Sequence, residues 1–168
     1  MDSTALKAMQ APIKDHYRAE PDAAVVTLHA RGAIDDQAIA CKVETGQAIA
    51  VAGLHPATGG SGLELCSGDM LLEALVACAG VTLKSVATAI EFDLTGAVVE
   101  AEGDIDFRGT LGVDKEAPIG FRSIRLVFVL DTDEPADRVD TLLRLTERYC
   151  VVFQTLKQSP ELSATVQD

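Results

Sequence analysis

From Asp69 to Glu91 the chain runs MLLEALVACAGVTLKSVATAI between two acids, and it is apolar on nearly every side of a 3.6-residue period. A helix of this kind has no face to give to water. It must lie at the centre of a domain or at a subunit interface, and the rest of the fold has to supply its cover. Asp69 is placed to cap its start by accepting backbone N–H groups of the first turn. Gly80 inside it costs about 1 kcal/mol relative to Ala, and the expected return is close approach of another helix. Glu73 and Lys84 interrupt the apolar run, so a membrane span is not expected.

A second helix is expected from Asp133 to Gln158, with Val139, Leu142, Leu143, Thr146, Tyr149, Cys150, Phe153 and Leu156 at spacings of three and four. Asp133-Glu134-Pro135 opens it and Pro160 stops it. Between the two helices lies the clearest strand, 97–107. Val99, Ala101, Gly103, Ile105 and Phe107 face one way, and Glu100, Glu102, Asp104 and Asp106 face the other. Those four carboxylates read as a solvated face, since a hard cation needs ligands converging from a loop. A second strand over 121–131 completes a long hairpin.

The first third of the chain is expected to hold a weak helix over 4–19, interrupted by Pro12, and a β-rich segment over 23–29. A strand over 38–44 follows, with Cys41 on its inner face, paired with a strand near 47–52 across Thr45-Gly46. Residues 55–68 are rich in Gly, Ser and Pro and read as a loop, in which His55 is a turn residue rather than a base. A short edge strand over 162–166 closes the chain. At 168 residues a single domain is expected over 23–168, with 1–22 as a partly helical extension.

The net charge of −12 excludes the positive surface that nucleic acid or an anionic membrane requires. The acidic N-terminal residues do not resemble a secretory signal, so the cytoplasm is the expected compartment. No phosphate-cradling loop, dinucleotide fingerprint or nucleophile elbow is present. Three histidines show no ligand spacing, and neither a metal nor a cofactor is expected.

What remains is sulfur. The four cysteines, Cys41, Cys66, Cys78 and Cys150, are 25, 12 and 72 residues apart and contain no C-x-x-C. That is not a structural disulfide framework in a cytoplasmic chain. Cys78 and Cys150 both fall on core helices, where a thiol is either a small inert hydrophobe or one half of a redox pair. As a thiolate Cys78 needs a cation to offset desolvation, and the sequence pattern alone supplies none.

Three segments in order resemble the OsmC/Ohr superfamily. They are GDMLLEALVACAGVTL around Cys78, the strand–loop–strand run VEAEGDIDFRGTLGVDKEAPIGFRSIRLVFVLD, and LLRLTERYCVVFQTL around Cys150. The resemblance spans roughly 23–166. It implies an α+β fold of antiparallel sheets wrapped around two central helices, in an intertwined homodimer with the thiols near the interface. It further implies a thiol peroxidase acting on organic, and also inorganic, hydroperoxides. The Cys78 thiolate becomes a sulfenic acid, condenses with Cys150, and a dithiol reductant reopens the disulfide. An arginine from the N-terminal hairpin would hold the thiolate, with Arg31 first in order and Arg18 second, and Asp69 would orient it. The alternative function is a non-catalytic dimer of the same fold that binds a small apolar ligand at the interface. A guanidinium at Cys78 is what separates the two.

Overall fold

The computed structural model describes residues 2–20, 31–34, 40–44 and 49–167, with side chains at 2–16, 19, 20 and 50–167. The described elements are helix α1 (Ser3–Ala19), strands β1 (Arg31–Ile34), β2 (Ala40–Glu44), β3 (Ile49–Gly53) and β4 (Leu65–Cys66), and the long helix α2 (Ser67–Ala89). Strand β5 (Gly96–Ile105), the short helix α3 (Phe107–Thr110) and strand β6 (Phe121–Asp131) follow, then helices α4 (Ala136–Tyr149) and α5 (Val151–Lys157). The class is α+β, as expected. By packing, the residues divide into two compact units, Met1–Lys7 with Ala74–Glu100 and Val127–Asp168, and Ala8–Glu73 with Ala101–Leu126.

The second of these units holds a four-stranded sheet in the order β1-β2-β3-β4. Its first three strands are antiparallel, with Arg31 opposite Glu44 and Val43 opposite Ala50. The expected antiparallel pattern is broken by β4, which pairs parallel to β3 through Ala52–Leu65 and Gly53–Cys66. This strand and a 3₁₀ turn at Pro56–Thr58 order the segment read as plain loop. His55 starts that turn by accepting the Ala57 N–H on Nδ1 at 3.0 Å, and its ring stacks on Phe107 at 4.9 Å between centroids. The turn role expected of His55 is the one it has. The 23–29 segment, the Thr45-Gly46 turn and the facing of Cys41 lie outside the described residues.

β5 and β6 form the expected two-stranded hairpin, with alternation of half-buried and exposed residues along each. Gly103 is required there, because a Cβ would sit 2.3 Å from a Phe121 ring carbon. On the exposed face Arg125 donates to Glu102 and Asp104, and Ser123 donates to Asp104. The hydrogen bonds from Arg125, then from Ser123, hold the Asp104 carboxyl far below its usual range. Asp106 accepts from the Arg108 side chain and backbone, which lower it to about 2. Glu102 and Asp104 thus carry ion pairs on the exposed face, whereas Asp106 and Phe107, expected on the strand, lie past its end as the N-cap and first residue of α3.

The other unit is built on the C-terminal two-thirds of α2. Leu83, Val86, Ala87, Phe92 and Leu142 form its buried cluster, with Val99, Phe128, Leu130 and Val139 packed against it. The stripe expected on α4 is its core face from Val139 to Thr146, whereas Tyr149 is exposed. α4 begins one residue later than its proline suggested, with Pro135 at the N-cap. Glu134 accepts the Asp93 N–H and an Arg138 N–H, both at 3.0 Å, tying the helix start to the turn after α2.

Three expectations are corrected. α2 starts at Ser67, which puts Asp69 in the first turn instead of at the cap. No strand forms over 162–166, where an exposed segment has no partner strand. The close helix approach expected at Gly80 is not made within the described chain, where a Cβ would meet only Val99 at 3.9 Å. Only Leu75, Ala79, Leu83, Val86 and Ala87 of α2 are buried, and Val81 remains 73% exposed. By length and composition alone α2 is also apolar enough to cross a membrane.

Candidate active site

The single helix expected from 133 to 158 is two helices, and the break falls on Cys150. Its backbone is extended, with φ −73° and ψ 109°, so it ends α4 and starts α5. The ladder survives on both sides: the Cys150 N–H donates to the Thr146 carbonyl at 2.9 Å, and the Gln154 N–H donates to the Cys150 carbonyl at 2.9 Å. What the break frees is the first turn of α5. Val151, Val152 and Phe153 carry N–H groups that a continuous helix would direct to the preceding turn. The Glu147 carbonyl, which would have accepted from Val151, takes the Gln154 side-chain amide at 2.8 Å instead.

Cys78 is half-buried on α2 and Cys150 is buried, at 1% exposure. Burial pushes the Cys78 thiol up, but the opposing contacts outweigh it. The Val152 N–H, the Cys150 thiol, the Val151 N–H and the Thr82 hydroxyl all donate to this sulfur, and its pKa falls below the ordinary thiol value. Cys150 moves the other way. Burial raises it, and donating its proton to the Cys78 sulfur beside that thiolate's charge holds it protonated, against opposing Phe153 and Val152 N–H groups. The two thiols are therefore pushed in opposite directions, Cys78 down and Cys150 up. Two like thiols in contact cannot both ionise cheaply, so the group with the lowered pKa is the one that ionises first.

Of the expected site residues, the structure brings Cys78 and Cys150 together. Arg31 begins β1, but its side chain, like that of Arg18, lies outside the described residues. Asp69 is nine residues before Cys78 on α2, about 13 Å of helical rise. It lines a cavity of about 310 Å³ with His55, Cys66, Leu72, Phe107 and Phe121. Thr82 and the Val151 and Val152 amides were not foreseen. Thr82 had a signal, since i and i+4 share a helix face. The amides had none, because no Pro or Gly marks the break.

The family described as OsmC-like protein matches residues 60–165. No curated protein matches the chain. Among solved structures, an OsmC-like protein from Mycoplasma pneumoniae is 15% identical with a TM-score of 0.66, over 80% of this chain and 89% of that one. An organic hydroperoxide resistance protein OsmC from Legionella pneumophila is 14% identical with a TM-score of 0.63, over 80% and 92%. An organic hydroperoxide resistance protein from Elizabethkingia anophelis is 13% identical with a TM-score of 0.63, over 80% and 91%. Identities this low speak for the fold alone, whereas the family match covers both cysteine helices and the hairpin between them: the chain belongs to the OsmC-like protein family.

Proposed function

We propose that this protein is a thiol-dependent peroxidase that reduces organic, and also inorganic, hydroperoxides, with Cys78 as the attacking thiolate and Cys150 as the resolving thiol. The observation that carries the reading is that the two cysteine helices covered by the family match bring the Cys78 and Cys150 thiols together, where hydrogen bonding lowers the Cys78 pKa. The Cys78 thiolate attacks the outer oxygen of the hydroperoxide, the O–O bond breaks, and the alkoxide leaves with a proton as alcohol. The Cys150 thiol then condenses with the Cys78 sulfenic acid, losing water and forming a disulfide. A dithiol returns both sulfurs to the reduced state. The hydroperoxide-resistance proteins among the structural neighbours support this substrate class. Arg31 would add a cation at the thiolate and Asp69 would orient it, in the cytoplasm and without a cofactor.

A homodimer is part of the proposal. The apolar face of α2 that the chain leaves exposed, with Val81 at its middle, is the surface a second copy would cover. The ligand-binding alternative has no use for a thiol pair tuned in opposite directions.

Reduced protein mixed with cumene hydroperoxide tests the reading, with disulfide formation and peroxide loss followed against Cys78→Ser and Cys150→Ser variants. Wild type should consume peroxide in repeated turnovers with a dithiol present. Cys150→Ser should give a single turnover and then over-oxidise. Consumption by wild type no faster than by Cys78→Ser would end the peroxidase reading.

A further inference from the structure

The cavity at the start of α2 is lined within one compact unit, and its volume of about 310 Å³ is that of a small-ligand site. Leu72, Phe107 and Phe121 give it apolar walls, and His55, Cys66 and Asp69 join them. Neither cysteine of the proposed disulfide is among the lining residues. His55 is held in one orientation. Its Nδ1 accepts the Ala57 N–H at 3.0 Å, and its ring stacks on Phe107 at 4.9 Å, 17° from parallel. With Nδ1 occupied as an acceptor, the neutral ring carries its proton on Nε2, which is left to donate to a ligand.

Cys66 is a free, half-buried thiol that the peroxide chemistry does not use. The parallel pairing of β4 with β3 fixes its backbone opposite Gly53. At Gly68 a Cβ would lie 3.5 Å from the Cys66 sulfur, 3.4 Å from Ile105 Cδ1 and 3.5 Å from Phe121 Cζ. The glycine therefore leaves open the space between the thiol and the aromatic wall. Asp104 lines the cavity along with Asp69, and among the described residues no lysine or arginine does. In a chain of net charge −12 that lining disfavours an anion.

We propose that this cavity is a covalent capture site for small neutral α,β-unsaturated aldehydes, with Cys66 as the nucleophile and His55 Nε2–H as donor to the carbonyl oxygen. Such a molecule matches the cavity in three parts. It has an apolar tail for Leu72, Phe107 and Phe121, an oxygen that accepts a hydrogen bond, and an electrophilic carbon for a thiol. The Cys66 thiol loses its proton to water, and its sulfur forms a bond to the β-carbon. The electron pair of the C=C bond moves through the carbonyl to the oxygen, where Nε2–H meets the forming charge. The α-carbon then takes a proton from water and the carbonyl is restored. The product is a thioether, with no net oxidation or reduction. The site uses neither Cys78 nor Cys150 and stands apart from the peroxidase reading.

The test mixes reduced protein with trans-2-hexenal, fixes adducts with borohydride and quantifies them at the Cys66 peptide, so the other cysteines do not enter. The rate should saturate with hexenal concentration, as a bound complex requires. With each rate divided by that of N-acetylcysteine, hexenal should exceed acrolein, the same reactive head without the tail, by about tenfold. Gly68→Ala places a methyl at ordinary contact distance from the sulfur, so the fold is kept and the space is filled. It should slow hexenal addition by about tenfold. Gly96→Ala, whose Cβ would lie 3.7 Å from Asp131 Cβ at the far end of β5, should leave the rate unchanged. His55→Asn keeps an acceptor for the Ala57 N–H and deletes the Nε2 donor, and should also slow addition by about tenfold. A rate linear in hexenal, equal normalised rates for hexenal and acrolein, equal rates in Gly68→Ala and Gly96→Ala, or an unchanged rate in His55→Asn would each overturn the proposal.

Discussion

The side-chain amide of Gln154 donates to the carbonyl of Glu147 at 2.8 Å, bridging the point where α4 stops and α5 begins. This bond satisfies the carbonyl that the Val151 N–H would meet in a continuous helix.

Replacing Gln154 with Leu removes that donor and leaves the Glu147 carbonyl to compete for the Val151 N–H. The Cys78 thiolate should lose part of its support. Its pKa, read from the pH dependence of iodoacetamide alkylation in the Cys150→Ser background, should rise. Unfolding in urea should show a loss of about 1 kcal/mol for the missing hydrogen bond. An unchanged alkylation profile would show that the break stands without Gln154.

Thr82→Val keeps the shape of the side chain and deletes the hydroxyl that donates to Cys78. The thiolate loses a hydrogen bond, so the Cys78 pKa should move up. At a pH between the old and new values the thiolate fraction, and with it the peroxide rate, should fall several-fold, and it should recover at alkaline pH. A fall that persists at alkaline pH would assign Thr82 a packing role instead.

The paired shifts also set how stability responds to pH. Cys78 has a folded pKa below its unfolded value, so its contribution is present above the unfolded thiol pKa and is lost as pH falls through the folded one. Cys150 is raised, so its contribution is present below the unfolded thiol pKa and is lost as pH rises through the folded one. Relative to Cys78→Ser, reduced wild type should therefore gain stability as pH rises toward the ordinary thiol value, about 8.5, and lose it again above. Urea midpoints across this range check it, and a monotonic difference would contradict the opposed shifts.

Val81 is 73% exposed on α2 and lies on the face assigned to a second copy. Val81→Glu should weaken the dimer by about 3 kcal/mol, roughly a hundredfold in dissociation constant, with little change in the monomer's fold. Sedimentation equilibrium of wild type and variant measures this. A variant as dimeric as wild type would place the interface elsewhere.

The elements that the residues alone settled are those with a strict period. The 2-residue alternation from Val99 to Ile105 and the 3.6-residue stripe from Val139 to Thr146 each leave one way to bury an apolar face, and both are found where the pattern puts them. The order of the motifs around Cys78 and Cys150 was enough for the family. Tertiary structure decided what makes Cys78 acidic. A helix break with no Pro or Gly has no local signature. Cys150 and Phe153 read as a continued stripe, and only the fold sets the Val151 and Val152 N–H groups beside the Cys78 sulfur. Hydrogen-bond donors on the backbone are the same at every residue, so sequence cannot say which of them a sulfur will meet.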